Sequence, residues 1–316
     1  MSTPKISVVI PTRNRVQYLM QALESVFAQT YPAAEIIVVD DGSTDATREK
    51  VEELARDQNI RYIFQPTSGV SAARNKGVMH AAHPLIAFLD SDDLFTAEKL
   101  KKQIRVFERS PDLGFVHCWF SKFNDEGADL GVRDTSRLSG KIYPAILQEW
   151  SVLMAMPCML VRTDVFNEVG GFDEKMNWAE DMDFWRRITR RYEIDLVHEV
   201  LVRVRVHPAS TTFERSGGAS GFERYLVKAF AEDPGLGWSF RKRAKAKMYS
   251  KLGQNLLGNG KREQMKLVRQ YGAKALKAWP LELSAAAACL ASYLPFNLRN
   301  SIGENVRRKR YPREKS

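Results

Sequence analysis

The chain carries carboxylates at spacings that could hold a cation or move a proton. Asp40 and Asp41 stand in VVDDGSTD, Asp90, Asp92 and Asp93 in FLDSDD, and Glu180 and Asp181 in AEDMDFWRR. The first two groups each follow a short apolar run, residues 36–39 and 85–89. Asp-x-Asp after a strand sets two hard oxygen ligands near one point, which suits Mn²⁺ or Mg²⁺. A cation held by so few carboxylates shares its shell with substrate phosphates, so the pattern suits a diphosphate. A second reading stays open at each cluster. Asp is a turn and cap residue, and acids in a helix's first turn complement its positive dipole. Acidic clusters gathered at one sheet edge repel unless something compensates them, and a hydrated divalent cation would.

These residues converge only if the elements between them form a suitable scaffold. Residues 6–10 are an apolar run, as for a strand covered on both faces. A helix follows with Leu19, Met20, Leu23, Val26 and Phe27 on one face. Strands are expected at 36–39, 61–65, 85–89 and 114–120. The helices between them lie at 71–82, from about 96, and after Ser43 and Thr44, which can cap it. This alternation implies an α/β fold: a Rossmann-like, mainly parallel, doubly wound sheet flanked by helices. In such a sheet, ligands bind beyond the carboxyl ends of the strands, where Asp40, Asp41 and the Asp90–Asp93 group fall. Residues 121–140 read as a polar loop and 208–221 as a second one. A short helix at 163–169, a helix at 180–191 and a Val-rich strand at 195–206 lie between them. The pattern is all-helical afterwards, which divides the chain into domains 1–220 and 221–316.

Composition narrows the classes. Hydrophobic residues at 44% and charged residues at 27% exclude a disordered chain. No apolar run reaches the ~20 residues of a membrane-spanning helix. Cys118, Cys158 and Cys289 lie far apart without metal-ligand spacing, as expected of reduced, buried thiols in a cytoplasmic protein. The start of the chain shows no basic segment leading into an apolar one, so no secretory leader is expected. The net charge of +10 is uneven: residues 236–316 hold 19 basic and 4 acidic side chains, leaving 29 and 34 in the remainder. An acidic body argues against a nucleic-acid partner. A dinucleotide oxidoreductase would need G-x-G-x-x-G after the first strand. Pro11-Thr12-Arg13-Asn14-Arg15 stands there instead, and no phosphate-binding G-x-x-x-x-G-K-[ST] occurs.

Six segments in order carry a resemblance: SVVIPTRNR (7–15), VVDDGSTD (38–45), GVSAARNKG (69–77), FLDSDD (88–93), VGGFDE (169–174) and AEDMDFWRR (179–187). Together they resemble the family 2 glycosyltransferases, which have the GT-A fold, over about residues 4–212. The resemblance implies that Pro11, Thr12, Arg13 and Asp41 line the nucleotide base. Arg13 stands where many relatives stack a Tyr, and its planar guanidinium could stack likewise. A uridine diphosphate sugar is the favoured donor. The resemblance further places Asp90 near the ribose and cation, Arg74 at Asp90 or a neighbour, and Asp92 as main ligand of Mn²⁺ or Mg²⁺, with His207 an added ligand. Glu180-Asp181 would be the acceptor-side pair, with Asp181 the general base of an inverting transfer. Trp178 and Trp185 read as a sugar platform or as core.

The acceptor implied is a saccharide or a lipid-linked sugar in cell-surface polysaccharide or glycolipid synthesis. The Q-x-x-R-W signature of processive members is absent, which favours single additions. The alternative class is a non-catalytic nucleotide-sugar-binding or scaffold protein of the same fold. Two readings stay open for the basic C-terminal region: attachment to an anionic membrane face from the cytoplasmic side, or a helical subdomain with a solvated tail.

Overall fold

The computed structural model describes residues 4–134, 137–148, 155–176, 178–207, 219–258 and 264–294. Strand β1 (Ile6–Thr12) is buried at every position, as an unbroken apolar run demands of a strand covered on both faces. Helix α1 (Val16–Phe27) buries Leu19, Ala22, Leu23 and Val26, one face at helical spacing. Strand β2 (Glu35–Asp40) runs parallel to β1, with Thr12 opposite Asp40 at the end of the ladder. After α2 (Thr47–Leu54) come β3 (Ile60–Phe64), α3 (Val70–Met79) and β4 (Leu85–Phe88). β3 pairs parallel with β2, and β4 pairs parallel with β1. The chain thus starts at the centre of its sheet and builds outward on both sides.

Past β4 the directions mix. β5 (Leu94–Phe95) and α4 (Lys99–Arg109) precede β6 (Phe115–Phe123), and β7 (Asp129–Asp134) returns antiparallel along β6. β8 (Leu160–Arg162) then inserts antiparallel between β4 and β6. After α5 (Thr163–Glu168) and α6 (Glu180–Thr189), β9 (Ile194–Arg205) runs parallel to β6. The order is β3-β2-β1-β4-β8-β6-β9-β5, with β7 also on β6. Strands β1, β2, β3, β4, β6 and β9 share one direction, so the sheet is mainly parallel as expected. The insertion of β8 is not visible in the sequence pattern, because three residues are too few to show a period.

Two local expectations are corrected. Residues 121–140 are not simply a loop: β6 continues to Phe123 and turns back as β7. The turn closes where Gly127, at φ +82°, donates its N–H to Asn124 O at 3.0 Å, and Asn124 Oδ1 accepts from Ala128 N at 2.8 Å. Asn and a later Gly are the chemistry of such a turn. The polar composition hid an edge strand. Ser43 and Thr44 do not cap α2. The cap position is Ala46, with no side-chain cap bond; Asp45, one residue earlier, accepts on Oδ1 from Thr47 N at 3.1 Å and Thr47 Oγ1 at 2.5 Å.

Chain contacts divide the molecule into one unit of Met1–Ile142 with Met154–Ser210 and another of Tyr143–Leu153 with Thr211–Ser316. The first holds the whole sheet. The second is helical: α7 (Ala219–Glu232), α8 (Trp238–Gly258), α9 (Met265–Ala278) and α10 (Leu283–Ala291). Most of the expected loop at 208–221 lies outside the described residues, and residues 219–221 open α7.

Helix α3 meets the sheet through Gly77. A Cβ there would lie 2.3 Å from Val9 Cγ1 and 3.3 Å from Val39 Cγ2. Gly77→Ala should therefore lower stability by about 1–3 kcal/mol through overpacking. The expected result is a lower urea midpoint at unchanged slope.

Candidate active site

The carboxyl ends of β1, β2 and β4 meet at one rim, and the loops leaving them carry the acidic clusters. At the end of β1, Pro11 and Thr12 are buried, and Arg13 just beyond it is exposed. Thr12 Oγ1 is buried with no hydrogen-bond partner among the described residues. Asn14 sits at φ +51°, a conformation Asn tolerates. Its Oδ1 accepts from Thr44 N at 2.7 Å, and its N–H donates to Ser43 Oγ at 2.9 Å. The loops after β1 and β2 are thereby tied together.

Asp40 and Asp41 serve different neighbours. Asp40 accepts from Ser43 N at 2.7 Å and from the Tyr62 hydroxyl at 2.6 Å, which closes the turn after β2. Asp41 accepts from Gln65 Nε2 at 2.8 Å, Ser68 N at 2.7 Å and Gly69 N at 3.0 Å. It thus shapes the segment that launches α3.

The centre of the site is Arg74, on α3, only 5% exposed. Its Nη2 donates to Asp90 Oδ1 at 2.7 Å, and its Nη1 to Glu180 Oε1 at 3.3 Å. One guanidinium therefore joins the acidic loop after β4 to the first turn of α6. Asp92 takes two further bases on the same oxygen: Arg15 Nη1 at 2.6 Å and His207 Nε2 at 2.9 Å. Asp93 is buried and accepts from Arg205 N at 2.9 Å. Burial, then the charges of Asp90 and Asp92, hold its carboxyl well above the usual range. Arg205 also donates from Nε to Asp92 O at 3.0 Å and from Nη2 to Gln21 Oε1 at 2.6 Å. Its guanidinium lies 4.8 Å from the Tyr18 ring centre and 4.4 Å from that of Phe123. Tyr18 in turn packs against His207, ring centres 4.9 Å apart.

Helix α6 presents Glu180 and Asp181 in its first turn, preceded by Ala179 at φ +61°. A left-handed alanine costs of order 1 kcal/mol and persists only when its surroundings impose it. They do. Asp183, fully buried, pairs with Arg186 at 2.7 Å and Arg187 at 2.8 Å, and Arg187 Nη2 donates to Gly171 O at 2.5 Å. Asn75 of α3 holds the same segment, donating to Phe172 O at 2.9 Å and accepting from Phe172 N at 2.8 Å. Asp181 accepts from Met182 N at 2.7 Å. Burial first, and Glu180 second, push its carboxyl up to about 7.

Arg74 thus links Asp90 to Glu180, whose chain neighbour is Asp181; Arg15 and His207 meet on Asp92, two residues from Asp90 in the same loop; Asp41 belongs to a neighbouring network. Trp185 is 2% exposed and part of the core, so its sugar-platform reading falls. Trp178 is half-buried. Arg15, Arg74 and Arg205 also face the acidic loop. Arg15 and Arg205 belong to the site as well. Arg205 stands two residues before His207 in VRVH, but nothing in a strand's pattern tells which of its arginines ends at a carboxylate.

Among the described residues, no three His, Cys, Asp or Glu side chains converge as a metal site. Asp92 and His207 do so as a pair. A carboxylate suits Mn²⁺ or Mg²⁺ when diphosphate oxygens and water complete the shell, so Asp92 fits such an ion, with the His207 imidazole beside it.

A mixed sheet with acidic loops at its carboxyl rim is the GT-A architecture of sugar-transferring enzymes. A model of glycosyl transferase family 2 matches residues 7–170, and the chain belongs to that family. A protein of Rickettsia felis named as an uncharacterized glycosyltransferase is 35% identical over 209 residues, 66% of this chain and 34% of that one. The match thus spans about a third of that relative's length. A similarly named protein of Methanocaldococcus jannaschii is 29% identical over 234 residues, 72% of this chain and 80% of its own. S. aureus TarS 1–349 superposes with a TM-score of 0.60 at 21% identity, covering 98% of this chain and 93% of that one. Its complex with UDP-GlcNAc gives 0.56 at 20% identity over the same shares. At such identity the likeness shows the fold.

An ordinary aspartate titrates near 3.8 and Asp181 near 7. Between those values the folded state keeps a proton that the unfolded chain has released, so stability falls as pH rises through the window. Asp181→Asn should melt above the wild type at pH 8, and the difference should close toward pH 4.

Proposed function

We propose that this chain transfers a sugar from a nucleotide-diphosphate donor to an acceptor hydroxyl, with inversion at the anomeric carbon. The observation that carries the reading is the bridge of Arg74 between Asp90 and Glu180. It sets the acidic loop suited to a donor diphosphate beside a carboxylate suited to deprotonate an acceptor.

In this reading Pro11, Thr12, Arg13 and Asp41 form the base pocket and Asp90 faces the ribose. The unpartnered Thr12 hydroxyl supports a ligand there. Uridine diphosphate sugars are favoured, in keeping with the UDP and UDP-GlcNAc complexes of TarS. Asp92 and His207, with Asp90 nearby, would hold Mn²⁺ or Mg²⁺, which would stabilise charge growing on the departing diphosphate. Asp181 takes the proton of the acceptor hydroxyl as its oxygen bonds to the anomeric carbon. The bond from that carbon to the diphosphate oxygen breaks, and its electron pair leaves with the nucleotide. A carboxyl near 7 suits this task, since a general base works best when its pKa lies near the working pH. Glu180, held by Arg74, keeps the pair oriented and helps raise Asp181. The acceptor is a saccharide or lipid-linked sugar of cell-surface polysaccharide or glycolipid synthesis.

Asp181→Asn should lower turnover by roughly 10²–10⁴-fold and leave donor affinity intact. In the wild type, turnover should climb with pH through about 7. Transfer by the variant at the wild-type rate would remove Asp181 from the mechanism. EDTA should abolish transfer and Mn²⁺ or Mg²⁺ restore it; undiminished activity in EDTA would reject the metal.

A further inference from the structure

Helix α10 inverts the usual division of a surface helix. Ala285 (0% exposed), Ala288 (5%) and Ala291 (9%) face its neighbours, while Leu283 (78%) and Leu290 (72%) face outward. Leu281 (74%) and Tyr293 (70%) extend the exposed surface beyond both helix ends. Small residues on the inner side allow close packing: a Cβ on Gly272 of α9 would lie 3.1 Å from Cys289 Cβ. A helix kept only for its own core would turn leucines in and alanines out. Large apolar side chains exposed together mark a surface that something else covers.

Charge selects what covers it. The described residues 219–258 and 264–294 carry 12 basic and 4 acidic side chains. Arg269 stands at the rim of the apolar surface, its guanidinium 4.9 Å from the Tyr293 ring centre. The segment 295–316 that follows, outside the described residues, adds 7 basic and 2 acidic. An identical copy would bring like charge against like, and a helix about 14 Å long offers little of the ~800 Å² per partner of a stable dimer. Exposed apolar side chains with a cation at their rim, in a helical unit with excess basic charge, match a bilayer with anionic headgroups. Among the described residues no helix is long and apolar enough to cross a membrane, so contact would be along its surface.

We propose that the outward face of α10 is a docking site for an anionic lipid bilayer. The proposal goes beyond the glycosyl-transfer reading and stands or falls without it. The test floats the full chain with vesicles of phosphatidylcholine alone or mixed with phosphatidylglycerol. The wild type should float with the anionic vesicles and at least tenfold less with the neutral ones. Leu283→Glu/Leu290→Glu should lose at least tenfold in partitioning at unchanged circular dichroism, and Leu283→Ala/Leu290→Ala should fall between. Absence of flotation overturns the proposal, as does wild-type flotation of the glutamate variant, which would assign binding to basic residues alone. A dimer in sedimentation velocity that the glutamate variant dissolves, without lipid binding, would assign the face to a second copy and equally overturn it.

Discussion

The site depends on a buried guanidinium between carboxylates. Arg74 is nearly inaccessible, and Asp90 and Glu180 more than offset the burial that works against its charge. A buried ion pair that loses one member leaves an uncompensated charge, typically a cost of about 3–5 kcal/mol. The loop after β4 and the first turn of α6 therefore cannot separate without costing Arg74 one of its two carboxylate partners. That is why two acidic groups some ninety residues apart in sequence share one place in the fold, and why Asp181 lies where burial and Glu180 raise its carboxyl.

Around this bridge the protein supplies further cations of its own. Arg15 reaches Asp92 from the loop after β1, and Arg205 reaches Asp92 and Asp93 from the end of β9. The two arginines come from either side of the rim, so the acidic loop is held before any ligand arrives. Asp183 and Arg187 do the same for the far wall, fixing the Gly170-Gly171 turn to α6. The left-handed Ala179 is a consequence: both ends of its segment are anchored, and its backbone conformation follows.

The unit of α7 to α10 contributes no residue to this bridge. Its order comes from close helix packing around Leu256, Met265 and Val268 and from the alanine face of α10. Its exposed leucines and excess of basic charge belong to a surface, and the chemistry of the carboxylates neither requires nor explains them.

The parallel half of the sheet was legible because its strands are buried on both faces and read as continuous apolar runs. α1 was legible because a helix with one buried face repeats at its own period. The acidic clusters and Asp181 could be found because their residue types and positions after strands or at a helix start are local properties. β5, β8 and the β6–β7 hairpin escaped because two or three residues have no period, and because an edge strand tolerates polar side chains. What the sequence by itself determined was the architecture and the identity of the acids. The resemblance already set Arg74 at Asp90 or a neighbour; only the tertiary structure decided that Arg74 also reaches Glu180 and that Arg15 and Arg205 close on the loop of Asp92. Ion pairing depends on where side-chain ends meet in space, and no spacing along the chain encodes that.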